Sequence, residues 1–96
     1  IKYNAHESGG VYLNVLSALG EDIKVISPNE AGYVLADKIA DFTKALGLPQ
    51  KLREVGVPEE GLKECSEIAL SDAAIVYNPR FVSDSAEVLQ LYEQAW

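Results

Sequence analysis

The chain has 96 residues, of which 48% are apolar and 24% charged. These values sit in the ordinary globular range, exclude a disordered tail, and fit one small domain or part of a larger one. A formal net charge of -7 argues against nucleic acid and against anionic membranes, which repel an acidic surface, and points to a soluble cytoplasmic protein.

Residues 6–19 read as a first helix, with Val11, Leu13, Val15, Leu16 and Leu19 giving a largely apolar surface. Gly9-Gly10 weakens its start, since each internal glycine costs about 1 kcal/mol against alanine, which allows the helix to begin after Gly10. Gly20 suits the left-handed residue that ends a helix. Asp22 to Ile26 reads as a connector with some strand character. Ser27-Pro28-Asn29-Glu30 is a capping box: the Ser27 oxygen is expected to accept the Glu30 amide while the Glu30 side chain reaches back. Pro28 then stands at the first helical position, where its missing N–H is no loss. Val34, Leu35, Ile39, Phe42 and Leu46 recur at helical spacing, so residues 28–46 form the second helix. Ala36, Ala40 and Ala45 would let a neighbour come close. Gly47 ends this helix and Pro49 prevents its continuation.

Leu48 to Pro58 reads as a connector anchored by Leu52, Val55 and Val57. A third helix is expected over residues 59–70, opened by Pro58, with Glu59 and Glu60 in the first turn where the helix dipole favours anions. Leu62, Cys65, Ile68 and Ala69 would form its inner face. Ala73 to Tyr77 is apolar and reads as extended or irregular, and Asn78-Pro79-Arg80 breaks it. Ser83 or Asp84 caps a last helix whose Val88, Leu89, Leu91 and Tyr92 point inward, with Trp96 closing the end. Four helices without an evident sheet make the fold all-α, a small helical bundle.

Few residues suggest chemistry. His6 is the only histidine and cannot by itself build the multi-histidine sites of transition metals. Asp37 and Asp41 share one helix face, but Lys38 and Lys44 interleave, which reads as a solvated, charge-balanced surface. Cys65 is the single thiol, so it forms no internal disulfide and fits a reducing compartment. Its neighbours Glu64 and Glu67 oppose thiolate formation, so it reads as a packed structural cysteine. Gly9-Gly10 lacks the further glycines and preceding strand of a dinucleotide loop. The five tyrosines are expected at element edges with wet hydroxyls.

Asn78-Pro79-Arg80 leaves two readings open. Pro79 restricts Asn78 to extended backbone, the asparagine can bond nearby backbone, and Arg80 offers five donors to carboxylates or carbonyls. Tyr77, Asn78 and Arg80 therefore form either a loop lock between the third and fourth helices or part of a cleft wall.

The order Leu52-Arg53-Glu54-Val55-Gly56-Val57-Pro58, then Asn78-Pro79-Arg80, then a short helix ending in Trp96, resembles the carboxyl end of the iron-dependent (group III) alcohol dehydrogenases. Tyr3-Asn4-Ala5 resembles the segment after the last metal-binding helix of that family, so the resemblance spans residues 1–96, most closely from Gly47 onward. It implies a helical carboxyl-terminal domain from an enzyme with an amino-terminal α/β domain for NAD or NADP. In such enzymes one aspartate and three histidines hold a metal that polarises the alcohol oxygen, and hydride passes to the nicotinamide. None of those ligand or glycine-loop motifs matches a position here. The resemblance therefore assigns no catalytic, metal or cofactor residue to this chain, and would place iron and NAD(P) in sequence before Ile1. The family's segment before Asn78 lies near the substrate cleft, which implies a lining role for Ala74 to Tyr77.

The chain is thus expected to support the metal site and cleft of a parent dehydrogenase without being catalytic alone, with the rest of that enzyme as its partner. Its beginning at Ile1 rather than methionine fits a fragment or removal of upstream sequence. A fragment would expose apolar helix faces and self-associate. The alternative is a stand-alone helical interaction or dimerisation module with no enzymatic activity.

Overall fold

The computed structural model describes residues 1–96 and is all-α, as the periodicity predicts. Helix α1 spans Gly9–Ala18, α2 spans Pro28–Ala45, α3 spans Leu62–Ser71 and α4 spans Ser85–Ala95. Short 3-10 turns occupy Lys2–Asn4, Ile23–Val25, Leu52–Val55, Glu59–Gly61 and Ala73–Tyr77. No helix is long and apolar enough to cross a membrane. The chain folds as two compact units, residues 1–45 and 46–96.

In the first unit α1 and α2 pack as a helical hairpin. Its core is Leu16, Ala31 and Leu35, flanked by half-buried Tyr12, Leu13, Ile23, Ile26 and Val34, with Ala5 also fully buried. Gly20 lets the chain leave α1. It sits at φ 86°, its N–H donates to the Ser17 carbonyl, and the Glu21 N–H donates to the Leu16 carbonyl. That pair of bonds closes the helix in a Schellman motif and satisfies two orphan carbonyls.

The close approach is not made by the expected alanines. Ala40 and Ala45 are exposed, whereas Gly9 and Gly32 are buried. A Cβ at Gly9 would lie 2.2 Å from the Pro28 carbonyl oxygen, and one at Gly32 would lie 2.7 Å from both Cα and Cβ of Ala5. Backbone meets backbone at these two points, so only glycine fits.

The start of α2 also differs in detail from the expected capping box. Glu30 reaches back to the Ser27 N–H at 3.2 Å, but the Ser27 hydroxyl donates to the same Glu30 oxygen at 2.6 Å. Both bonds favour the carboxylate. The Ser27 hydroxyl first, and the Ser27 N–H second, hold the Glu30 carboxyl below the usual glutamate range. Farther along α2, which ends at Ala45, the apolar row opens to solvent: Leu35 is buried, but Phe42 and, just past the helix, Leu46 are 61% and 60% exposed.

Two connectors are helical where extended chain was expected. In Ile23–Val25 and in Ala73–Tyr77 the residue before the turn is an aspartate, and its carboxylate accepts from the amide two residues on: Asp22 from Lys24 at 3.1 Å and Asp72 from Ala74 at 2.8 Å. That local bond favours a tight turn over a strand, despite the β-branched residues that follow.

In the second unit α3 packs on α4. The α-helix begins at Leu62, after a 3-10 turn over Glu59–Gly61, rather than at Glu59. Leu62 and Ser66 are buried, and the Ser66 hydroxyl donates to the Lys63 carbonyl at 2.7 Å. Cys65 and Ile68 therefore face outward, contrary to the expected inner face. The helix is rotated so that its short polar Ser66, which can bond its own backbone, takes the crowded position. Asp84, not Ser83, caps α4, accepting from Ala86 at 2.9 Å. Of the expected connector anchors, Leu52 and Val57 are half-buried and Val55 is exposed.

A pair of substitutions tests the hairpin. Gly32→Ala should cost about 1–3 kcal/mol in urea unfolding, because the methyl group forces two backbones apart. Gly10→Ala has open space around it and should stabilise by about 0.5–1 kcal/mol through helix propensity. A second test uses pH. A carboxyl whose folded pKa is depressed contributes stability above its unfolded value and loses it as pH falls through the folded value. The stability difference between the native chain and Glu30→Gln should be present at neutral pH and shrink as pH drops through and below the usual glutamate range.

Candidate functional site

The sequence-predicted residues lie on the segment joining α3 to α4. Asp72 turns the chain into the Ala73–Tyr77 turn, whose end is fixed by the Asn78 N–H donating to the Ile75 carbonyl at 3.1 Å. Asn78 then adopts φ -66°, ψ 130°, the extended geometry that a following proline imposes. Its side-chain amide donates to the Arg80 carbonyl, bridging Pro79. Asp84 starts α4 four residues later. The segment is thus pinned at both ends by aspartate caps and in the middle by Asn78.

This pinning presents apolar side chains outward. Val76 is 75% exposed, and Tyr77 and Phe81 are each 84% exposed. Asn78 is half-buried, while Pro79 and Arg80 are exposed. Chemically this is an exposed aromatic and apolar rim around a hydrogen-bonded turn, with a guanidinium-bearing residue beside it. Sequence reasoning did not single out Phe81. Its only signal was an aromatic residue directly after Pro-Arg in a stretch without periodicity.

The other sequence candidates are scattered. His6 is exposed and meets the Tyr33 ring edge-on, with centroids 6.1 Å apart. Asp37 pairs with Lys2 at 2.7 Å, and Lys38 pairs with Glu21, so this helix face is laced with ion pairs. Cys65 is a free, exposed thiol, which corrects its reading as a packed residue. Nowhere do three or more His, Cys, Asp or Glu side chains gather as a metal ion would require. The residues of this chain do not fit the iron of the family it resembles, and no chemical step is assigned to them through a metal.

The family profile described as the Fe-containing alcohol dehydrogenase family, C-terminal, matches residues 1–96. The chain belongs to this family. It is 28% identical over 96 residues to the lactaldehyde reductase of Escherichia coli strain K12, covering 100% of this chain and 25% of that protein. It is 27% identical over 95 residues to the 1,3-propanediol dehydrogenase of Citrobacter freundii, covering 99% of this chain and 24% of the relative. The crystal structure of a 1,3-propanediol oxidoreductase superposes with a TM-score of 0.87 at 28% identity, over 98% of this chain and 24% of that one. An alcohol dehydrogenase from Oenococcus oeni superposes at 0.88 with 19% identity, over 99% of this chain and 24% of that one, and shares the fold. The chain thus spans about a quarter of the length of the curated relatives it matches. The match runs through both compact units, and its four helices are those of the family's carboxyl-terminal helical region.

Asn78→Ala and Asn78→Asp should each lower stability by about 1 kcal/mol in urea unfolding, since neither can donate to the Arg80 carbonyl. Equal stability of the aspartate variant would mean that the bridge contributes nothing.

Proposed function

We propose that this chain is the carboxyl-terminal helical part of a cytoplasmic, iron-dependent, NAD(P)-linked alcohol dehydrogenase, where it buttresses the metal-bearing helices and walls one side of the substrate cleft. The observation that carries this reading is the family match over residues 1–96, made to proteins about four times as long. The exposure pattern supports it. Val11, Val15 and Leu19 on and just after α1, and Ile39, Phe42 and Leu46 on and just after α2, keep helical apolar spacing yet lie 37–62% open. Rows of that kind are built to be covered, in this reading by the remainder of the parent enzyme. Iron and NAD(P) would be held by that remainder, which brings the reacting carbon and the nicotinamide together.

The cleft wall would be the Ala74–Tyr77 turn with Asn78 and Arg80. Here the pinned backbone holds the aromatic rim in place, and Arg80 adds positive charge to a strongly acidic chain. The named relatives include a lactaldehyde reductase, a 1,3-propanediol dehydrogenase and a long-chain-alcohol dehydrogenase, so the reading extends to an alcohol or aldehyde and no further. The same open apolar rows favour a second reading, a stand-alone helical module that docks a partner or a second copy through them.

The purified parent should contain iron and reduce NAD or NADP in the presence of alcohol. Tyr77→Ala in that protein should raise KM for the alcohol about tenfold or change substrate preference, with stability altered by less than about 0.5 kcal/mol because the side chain is exposed. An unchanged KM across several alcohols would remove Tyr77 from the cleft. The isolated 96-residue chain should bind neither iron nor NAD(P) in equilibrium dialysis, and should self-associate in sedimentation at micromolar concentration. A dilute, stable monomer with stoichiometric iron would sink the scaffold reading.

A further inference from the structure

In the second unit, three contacts tie one short segment to the end of one helix. Residues 51–57 form a compact strap: the Glu54 N–H donates to the Lys51 carbonyl, the Gly56 N–H to Arg53 and the Val57 N–H to Leu52, at 3.1–3.2 Å. Gly56 at φ 81° turns the strap back on itself. Side chains and backbone of the strap meet α4 at the last turn of the helix. Lys51 Nζ donates to the Gln94 carbonyl at 2.6 Å, the Trp96 indole N–H donates to the Val57 carbonyl at 3.0 Å, and the Arg53 guanidinium lies 5.6 Å from the Trp96 ring centroid.

The chemistry of these contacts is consistent. The end of α4 carries carbonyls without helical partners and the negative end of the helix dipole. The strap brings it two cations, Lys51 on a carbonyl and Arg53 on an aromatic face. Trp96 in turn is held to the helix by its backbone N–H, which donates to the Tyr92 and Glu93 carbonyls. The strap and the last helical turn are therefore fastened to each other at three points, beside the helix's own bonds from Trp96. Between them runs an apolar groove of about 360 Å³, lined by Leu52 from the strap and by Val88, Leu91, Tyr92 and Ala95 from α4. Leu52 is the strap's one side chain in the wall of that groove.

We propose that residues 51–57 and the last turn of α4 are a latch that opens and closes as one unit, with Trp96 as its catch. Opening withdraws Leu52 and widens the groove, while the α3–α4 pairing stays intact. This goes beyond the dehydrogenase reading and does not depend on it. Two of the three contacts rest on a cation, so salt weakens the latch.

The test is amide hydrogen exchange by mass spectrometry on the intact protein, comparing peptides from 51–57, 90–96 and 62–71. Trp96→Phe keeps a ring but loses the indole N–H, and Lys51→Gln removes the ammonium that donates to the Gln94 carbonyl. Each variant should speed exchange in 51–57 and in 90–96 together, by roughly three- to tenfold as expected for one lost net hydrogen bond, and leave 62–71 unchanged. Faster exchange in 90–96 alone would mean that the helix end frays without the strap. Equal acceleration of all three peptides would mean global loosening, and no change would mean the contacts hold nothing. Each of these three results overturns the proposal.

Discussion

At Gly32 the backbone of α2 comes so near to Ala5 that no methyl group fits between them, and at Gly9 the same is true against Pro28. The first unit is organised around these two close approaches. They bring α1 onto α2 tightly enough for Leu16, Ala31 and Leu35 to exclude water, and they fix where the chain must enter and leave each helix. Gly20, Asp22 and the Ser27–Glu30 bonds then serve a path whose ends are already set. Small residues act here as a distance constraint and contribute little area of their own.

That arrangement buries little. The fully buried apolar side chains are few and mostly small, and large ones such as Val11, Phe42, Leu46 and Ile68 stand open although their spacing is that of inward-facing residues. Hydrophobic stabilisation scales with area removed from water, so these rows are unused driving force. In the proposed reading the remainder of a parent enzyme would cover them, the relatives being about four times the length of this chain.

The sequence made most of this legible where local rules act alone. Four helices, the start of α2 at Pro28 and the glycine that ends α1 all follow from spacing and capping chemistry, while the cap of α4 was narrowed to Ser83 or Asp84. The family was legible from the ordered Leu52–Pro58 and Asn78–Arg80 segments. The errors have particular causes. Ile23–Val25 and Ala73–Tyr77 carry β-favouring residues, yet an aspartate ahead of each turn bonds the backbone and wins. Ser66 displaced Cys65 from the inner face because a short hydroxyl can satisfy itself on Lys63 in a crowded place. The glycine contacts were invisible because they join residues 27 and 19 positions apart, and no local pattern encodes such a meeting. The aromatic rim around Asn78 was half legible: Tyr77 was noticed, Phe81 was not, since neither sits in a periodic element.

The outward turn of Cys65 has a practical side. Within these residues there is one thiol, on the open face of α3, and one indole, at the end of the neighbouring helix. Reagents can reach the sulfur without disturbing Leu62 or Ser66, so a quencher or acceptor dye attached there would report on an indole the chain already supplies. The second unit thus carries a built-in molecular ruler. The same placement leaves the sulfur open to oxidants and to other thiols, so reducing agent belongs in any buffer used to study it.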